Sequence, residues 1–306
     1  DRHPTSILHD SIHLSKSQHL RCLYMSARLS PTPTTFIAAP GYDRWPLPEA
    51  EYLRYRLHCL SASYTMRVVF IHQNMPGQYK HLAPRLAADG HEVVFITKRR
   101  NIELPGVRRI VYDLSREPNS QGHRYARHFD GQLLYGQAVA RVLIKLRDEG
   151  FHPDLICAHS GWGEAMFIKD IFPDSSLQVF SEFFYRGQGA DVGFEDKGEA
   201  SLDAQCRARA RNAHMLIAMA DADSLIAPTV WQWQQHPQAL RERMVVIHDG
   251  IDSAACQPDP TATFTLPTGE ILSREDEVIT YLARNLEPYR GFHKFMAGLE
   301  SLLERR

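Results

Sequence analysis

MRVVFIHQNMPGQY, residues 66–79, contains the clearest indication of the fold in this sequence. Its apolar run at 68–71 is short and ends abruptly in polar and turn-forming residues, which is typical of a buried strand in a parallel sheet. Gly77 then precedes a segment with a helical pattern. A glycine at that point lets the backbone turn sharply and lets a ligand approach the N-terminus of the next helix. The stretch therefore predicts the first strand–loop–helix unit of an α/β domain.

Apolar runs and helical patterns alternate along the chain after this stretch. We predict further strands at 91–97, 107–114, 154–158 and 177–184, and further elements at 224–227, 229–235 and 244–248. Helices are predicted at 79–88, 122–149, 165–171 and 199–219. This alternation favours an α/β fold with a doubly wound, parallel, Rossmann-like sheet and right-handed crossovers.

The composition is that of a globular protein. The 306 residues are enough for about two domains, and 43% of them are hydrophobic, which is enough for a real core. A net charge of -1 gives no sign of a nucleic-acid partner. The five cysteines are scattered without a CxxC pair, a pattern that favours free thiols in a reducing compartment over disulfides or a zinc site. No run approaches the roughly 18 apolar residues of a membrane span. We therefore predict a soluble cytoplasmic protein that binds no metal.

The sequence divides into four parts. Residues 1–65 lack sustained periodicity, and we interpret them as a disordered or non-native extension, with a targeting or regulatory segment as the alternative. Residues 66–251 form the predicted sheet domain, and the proline-containing stretch 252–277 is a predicted linker. Residues 278–306 supply a predicted strand at 278–283 and a helix, which alone cannot bury their apolar faces. A second domain is therefore expected to begin there and to be truncated.

Three loops follow the carboxyl ends of predicted strands, where open parallel sheets bind ligands. The first contains Asn74 and Gly77 and lacks the GxGxxG pattern, so dinucleotide binding is not supported. The second, HSGWGE at 159–164, begins with His159, an imidazole that can donate or accept a proton at neutral pH. Trp162 offers a flat surface for a sugar.

Two carboxylates in these loops have alternative interpretations. Glu164, predicted in the first turn of a helix, is either a catalytic group or a helix cap. Glu182, in the third loop SEFFYRGQGADVGFE, sits in a predicted apolar strand, where a carboxylate needs a partner or a function. Arg186 is the candidate partner, and the glycines after it predict a mobile loop that closes on an acceptor.

Arg284 and Arg290 flank a later strand-to-helix loop. Guanidinium groups suit a pyrophosphate because they stay charged and bind oxygens in pairs. The alternative is that both are ordinary exposed arginines.

Taken together, these segments resemble family 4 glycosyltransferases over residues 66–306. The resemblance rests on HQNMPGQYKHLA, AHSGWGE, SEFFYRGQGADVGFE, APTVWQ, VIHDGID and ARNLEPYRGFHKFM, in that order. It implies a GT-B fold, in which an N-terminal acceptor domain faces a C-terminal domain that binds a nucleotide-sugar. It also implies transfer with retention of configuration, without a metal or cofactor, from a UDP- or GDP-linked donor to a glycan or lipid-linked acceptor.

The resemblance assigns roles to several residues. Gly77 is expected to face the donor diphosphate, His159 to contact the transferred sugar, and Arg284 and Arg290 to match the Arg and Lys that clamp the diphosphate. The glutamate pair of the family's donor domain is expected beyond residue 306, so this chain alone is predicted to transfer little sugar. We predict His159 and Glu164 as catalytic, and a substrate-binding set consisting of Asn74, Trp162, Glu182 and Arg186.

Two other functions stay open on the sequence. One is a non-catalytic module that binds a glycan or acceptor, and the other is an epimerase of sugar nucleotides with the same fold. The basic residues at 98–100 and 108–109 are either a contact with an anionic membrane surface, which would place the protein at the inner membrane face, or a solvated rim.

Overall fold

A computed structural model describes residues 65–194 and 200–303 of the chain. The predicted extension at 1–65 therefore lies, except for its last residue, outside the described residues. The strands are β1 (Arg67–Ile71), β2 (Glu92–Thr97), β3 (Val107–Val111), β4 (Leu155–His159), β5 (Ser176–Phe180), β6 (Ser224–Ala227), β7 (Met244–Val246), β8 (Phe264–Thr265) and β9 (Ile271–Leu272). The helices are α1 (Leu82–Ala88), α2 (Arg127–Asp148), α3 (Ile168–Ile171), α4 (Leu202–Arg211), α5 (Ala213–Ala220), α6 (Val230–Gln235), α7 (Gln238–Arg241) and α8 (Phe292–Leu303).

Seven of the strands form one parallel sheet in the order β3-β2-β1-β4-β5-β6-β7. From β1 the chain builds outward to β3, returns to the centre, and builds outward from β4 to β7 on the other side. This order confirms the predicted α/β class with a doubly wound, Rossmann-like sheet. It also places the topological switch point between β1 and β4.

Both faces of the sheet are covered by apolar side chains. Alternate residues of β1 point to opposite faces, so Val69 and Ile71 pack in one buried cluster and Val68 and Phe70 in the other. This two-sided burial explains why the strands at the centre are continuous apolar runs and do not alternate with polar residues.

Several predicted element bounds are wrong. The strand predicted at 177–184 ends at Phe180, so Glu182 follows the strand and does not sit within it. The helix predicted at 199–219 is broken at Asn212, whose side chain bonds both the N–H and the carbonyl oxygen of Tyr185 at 2.8 Å each. Helix α3 spans only four residues, fewer than the seven predicted at 165–171.

The chain forms two compact units. Among the described residues, the first consists of 65–185 and 206–248, and the second of 186–194, 200–205 and 249–303. The first contains the seven-stranded sheet, and the second contains the β8–β9 hairpin and α8. The domain and linker bounds derived from the sequence stay predictions.

The strand predicted at 278–283 is wrong for the described residues, which form no ladder there. A strand exists only when a neighbour completes its hydrogen bonds, and none of the described residues supplies one. Within the described ranges, no helix is both long enough and apolar enough to cross a bilayer.

Candidate active site

Two histidines meet at the switch point of the sheet. His72 directly follows β1 and His159 ends β4, and because these strands are parallel neighbours their carboxyl ends lie side by side. The two ring centroids are 5.0 Å apart, and both side chains are buried. This edge is where open α/β sheets bind ligands.

His72 is held in one tautomer. Its Nδ1 accepts a hydrogen bond from the backbone N–H of Asn74 at 2.9 Å, so the ring proton lies on Nε2, which donates to Gln78 Oε1 at 2.8 Å. Burial, with a smaller contribution from the nearby His159, lowers the pKa of His72 to about 3. His72 is therefore neutral at physiological pH.

Glu182 is the carboxylate on which this hydrogen-bonded cluster converges. Gln78 Nε2 donates to its Oε2 at 2.9 Å, and His159 Nε2 lies 3.6 Å from its Oε1. The pairing with His159 is the main reason that the pKa of Glu182 lies below its usual value, although burial opposes it. Because 38% of its side chain is exposed, against 3% for His159, Glu182 is the member of the pair that a ligand can reach.

His159 is fixed by the loop that follows it. The backbone N–H of Gly161 donates to His159 Nδ1 at 2.9 Å, which leaves the ring proton on Nε2 toward Glu182. The Trp162 ring stacks on the imidazole with centroids 4.5 Å apart. A Cβ on Gly161 would lie 2.8 Å from the His159 ring, so the loop can fold back on the imidazole only with glycine at this position. The predicted contact between His159 and a sugar stays a prediction.

Gly77 has a structural task that the sequence does not reveal. Its φ is +50°, and a Cβ there would lie 2.4 Å from Nε2 of His72. The glycine therefore makes room for the imidazole that holds Gln78. The predicted approach of Gly77 to a diphosphate stays a prediction, as does substrate binding by Asn74, whose backbone N–H already bonds His72.

Glu164 lies behind this cluster and is almost fully buried. Its Oε1 accepts a hydrogen bond from the hydroxyl of Tyr112, which follows β3. Burial raises the pKa of Glu164 to about 7, and the bond from Tyr112 opposes that rise. The alternative of a cap in the first turn of a helix is wrong, because α3 begins only at Ile168. The catalytic role of Glu164 stays a prediction.

A second chain of hydrogen bonds ties the backbones of the site together. Ser160 Oγ donates to Ser181 Oγ at 3.2 Å, and Ser181 Oγ lies 2.8 Å from His236 Nε2. His236 Nδ1 lies 2.9 Å from a carbonyl oxygen that can only accept, so Nε2 is the acceptor from Ser181. Since Ser160 follows His159 and Ser181 precedes Glu182, this buried chain sets the spacing of the pair.

Six side chains at the site were not predicted from the sequence: His72, Gln78, Tyr112, Ser181, His236, and His214, whose Nε2 lies 3.1 Å from the carbonyl oxygen of Gly161. The first two stand in the quoted stretch after β1, and their position at a strand end was a usable signal. The other four are single polar residues in unremarkable surroundings, and only tertiary contacts identify them.

The three predicted arginines belong to the second compact unit. The backbone N–H of Arg186 donates to Asp191 Oδ1 at 3.2 Å, and Arg290 Nε lies 3.4 Å from Glu287 Oε2. Interaction with Asn285 is the main cause of the lowered pKa of Glu287, and Arg290 and Arg284 contribute to it. Binding of a diphosphate by Arg284 and Arg290, and of substrate by Arg186, stay predictions.

Two further findings among the described residues concern ion pairs and possible metal ligands. Three of the five basic residues at the predicted rim form ion pairs, with Asp113, Glu149 and Glu103 as partners. No group of three or more possible metal ligands occurs among residues 65–194 and 200–303.

Three of the solved structures that are similar to this chain are the following. The catalytic domain of starch synthase IV from Arabidopsis thaliana, bound to ADP and acarbose, has 13% identity and a TM-score of 0.41, with 63% of this chain and 53% of that chain covered. A UDP-glucosyltransferase from Polygonum tinctorium has 13% identity and a TM-score of 0.39, with 66% and 55% covered. UDP-GlcNAc 2-epimerase from Neisseria meningitidis, bound to UDP-GlcNAc, has 12% identity and a TM-score of 0.32, with 59% and 45% covered. The chain thus spans about half the length of these structures.

No protein among the curated proteins matches the chain. A family model, that of the Glycosyl transferase family 4 group, matches residues 89–256. That range runs from the start of β2 to beyond β7 and includes both His159 and Glu182. Because the match covers more than half of the 306 residues, the chain belongs to the glycosyl transferase family 4 group.

Proposed function

We propose that this chain serves a retaining glycosyltransferase, which moves a sugar from a UDP- or GDP-linked donor to a hydroxyl of a glycan or lipid-linked acceptor. The observation that carries the proposal is the ionised, partly exposed carboxylate of Glu182 beside the switch point, which accepts a hydrogen bond from Gln78 and lies 3.6 Å from His159 Nε2. Membership of the glycosyl transferase family 4 group supports the reaction class.

The chemistry of the cluster suits hydroxyl groups better than phosphate. A carboxylate accepts strong hydrogen bonds from hydroxyls and repels a diphosphate. In the proposal Glu182 therefore orients a sugar or acceptor hydroxyl. For the second unit, the separate proposal is that Arg284 and Arg290 bind a diphosphate. The residues position the reactants and balance charge, and the leaving phosphate helps to deprotonate the acceptor hydroxyl.

Donor binding is tested by calorimetric titration of the full chain with UDP- and GDP-sugars. The expected result is binding that weakens about tenfold or more in Arg284→Ala, because a lost hydrogen bond to a charged group costs about 1.5–3 kcal/mol. Arg141→Ala, at an exposed arginine of α2, is the control and should bind like wild type. Equal affinities in all three proteins would contradict the assignment of Arg284.

The role of Glu182 is tested by Glu182→Gln. The amide removes the charge and keeps the shape, so we expect binding of the hydroxyl-bearing ligand, or transfer where it is detected, to fall about tenfold or more. Glu117→Gln, at an exposed carboxylate, removes the same charge outside the cluster. The proposal for Glu182 fails if both variants behave like wild type. Where transfer occurs, NMR of the product's anomeric centre reports retention or inversion.

A non-catalytic module that binds a glycan or acceptor is the second candidate. The observation that favours it is the composition of the cluster in the first unit, where the reachable group is a carboxylate and its partners are an amide and imidazoles. Binding of oligosaccharides without any binding of UDP- or GDP-sugars in the same titrations would favour this candidate.

A further inference from the structure

A buried histidine on α5 holds the loop that carries the site. His214 has no exposed surface, and its Nε2 lies 3.1 Å from the carbonyl oxygen of Gly161. A carbonyl oxygen can only accept, so His214 is the donor and carries its proton on Nε2. Burial lowers the pKa of His214 to about 4, so the ring is neutral at physiological pH and only this nitrogen donates.

Gly161 is therefore bonded on both of its backbone groups. Its carbonyl oxygen accepts from His214, and its N–H donates to Nδ1 of His159 at 2.9 Å. The carbonyl belongs to the peptide that leads into Trp162, whose ring stacks on His159. The N–H of His214 on α5 therefore fixes Gly161, which determines the tautomer of His159. It also fixes the peptide that places Trp162 against the His159 ring.

We propose that His214 is a positioning residue that acts through Gly161 to hold the His159 imidazole with its Nε2–H directed at Glu182. Without this donor, the carbonyl oxygen of the half-buried Gly161 loses its hydrogen bond from His214, and the loop can move to give it another partner. Movement of the loop releases the N–H that defines the His159 tautomer. The importance of His214 for sugar transfer rests on the proposed function, whereas its effect on His159 does not.

The test is a two-bond proton–nitrogen NMR correlation of the histidine rings in the full chain, with the His159 signals assigned from the His159→Gln spectrum. In wild type we expect both His159 and His214 as single Nε2–H tautomers. In His214→Phe, which keeps the volume and removes the donor, we expect His159 to lose its single-tautomer signature. In His214→Gln, which retains an N–H donor, we expect the wild-type His159 signals.

His128→Phe is the matched control. His128 packs against His214 with ring centroids 5.3 Å apart, so its replacement disturbs the same cluster and leaves the bond to Gly161 in place. A wild-type His159 spectrum in folded His214→Phe, or an equal change in His128→Phe, overturns the proposal. If His214→Phe does not fold, the wild-type spectrum alone is the test. The proposal is then overturned if His159 or His214 is found as the Nδ1–H tautomer. None of these measurements needs a sugar. The result for His214 can therefore be interpreted even if the proposed glycosyltransferase function is wrong.

Discussion

At the residue scale, a comparison of Gly77 with Gly90 distinguishes the free-energy cost of backbone strain from that of a steric clash. Gly77 and Gly90 both have positive φ, +50° and +90°, but a Cβ on Gly90 meets nothing within 4 Å, whereas one on Gly77 meets His72. Both alanine variants carry strain of about 1–2 kcal/mol. Only Gly77→Ala must also displace His72 from Gln78, so we expect it to lose at least about 1 kcal/mol more in urea unfolding. Equal losses in the two variants would contradict this account.

Glu164 gives a prediction with a defined sign against pH. Its pKa rises to about 7 in the folded protein from the ordinary value of 4.5, so the folded state holds a proton that the unfolded state has released. Its contribution to stability is complete below about pH 4.5 and is lost as pH rises through about 7. Relative to Glu164→Gln, wild type should lose up to about 1.4 kcal/mol per pH unit in this window.

The measurement for Glu164 is the free energy of unfolding of wild type and Glu164→Gln at pH 5, 6, 7 and 8. Glu117→Gln, at an exposed carboxylate, controls for the loss of one negative charge. A constant difference between wild type and Glu164→Gln across these four pH values would show that the buried carboxyl does not titrate in this window.

At the element scale, helix α2 packs its backbone directly on the loop after β4. A Cβ on Gly136 would lie 2.9 Å from the carbonyl oxygen of Gly163, whereas a Cβ on Gly131 of the same helix meets only Pro118 at 3.6 Å. We expect Gly136→Ala to destabilise the protein by about 1–3 kcal/mol, the usual range for overpacking. Gly131→Ala should be neutral or stabilising by up to about 1 kcal/mol through helix propensity. Thermal and urea unfolding of the two variants test this, and the expected result is a loss of stability in Gly136→Ala and none in Gly131→Ala.

The helices and strands also show which element positions and bounds can be predicted from sequence periodicity and which cannot. Apolar runs gave the positions of β1, β2 and β4, since strands buried on both faces have no other pattern. The end of β5 was missed because SEFF continues the apolar pattern, whereas the strand ends at Phe180, the last residue that pairs with β6. The break between α4 and α5 depends on the bonds of Asn212 to Tyr185, which no local pattern encodes.

At the scale of the whole molecule, the same distinction applies to the site. The sheet order brings the ends of β1 and β4 together, so His159, Trp162 and Glu182 could be predicted as neighbours of a ligand edge. Their partners could not, because Gln78 and Glu182 are 104 residues apart and Tyr112 and Glu164 are 52 apart. Contacts between residues so far apart in the sequence depend on the folded topology and cannot be predicted from the local sequence.

The buried histidines together predict how stability depends on pH. Five histidines have a pKa lowered chiefly by burial: His72, His91, His128, His214 and His236. Between the ordinary value of 6.5 and the folded value, the unfolded chain binds protons that the folded chain excludes. Their contribution is therefore complete above about pH 6.5 and is lost as pH falls, each group adding up to about 1.4 kcal/mol per unit.

Glu164 opposes this trend, but one carboxyl cannot cancel several imidazoles. We expect the free energy of unfolding to fall between pH 6.5 and 5.5, because the unfolded chain takes up more protons in this window than the folded protein does. Urea unfolding at pH 7.5, 6.5 and 5.5 measures this slope. His72→Gln combined with His214→Gln should flatten it, and His152→Gln, at an exposed histidine, is the control. A slope that is the same in the double variant and in wild type would contradict the assignment of this loss of stability to His72 and His214.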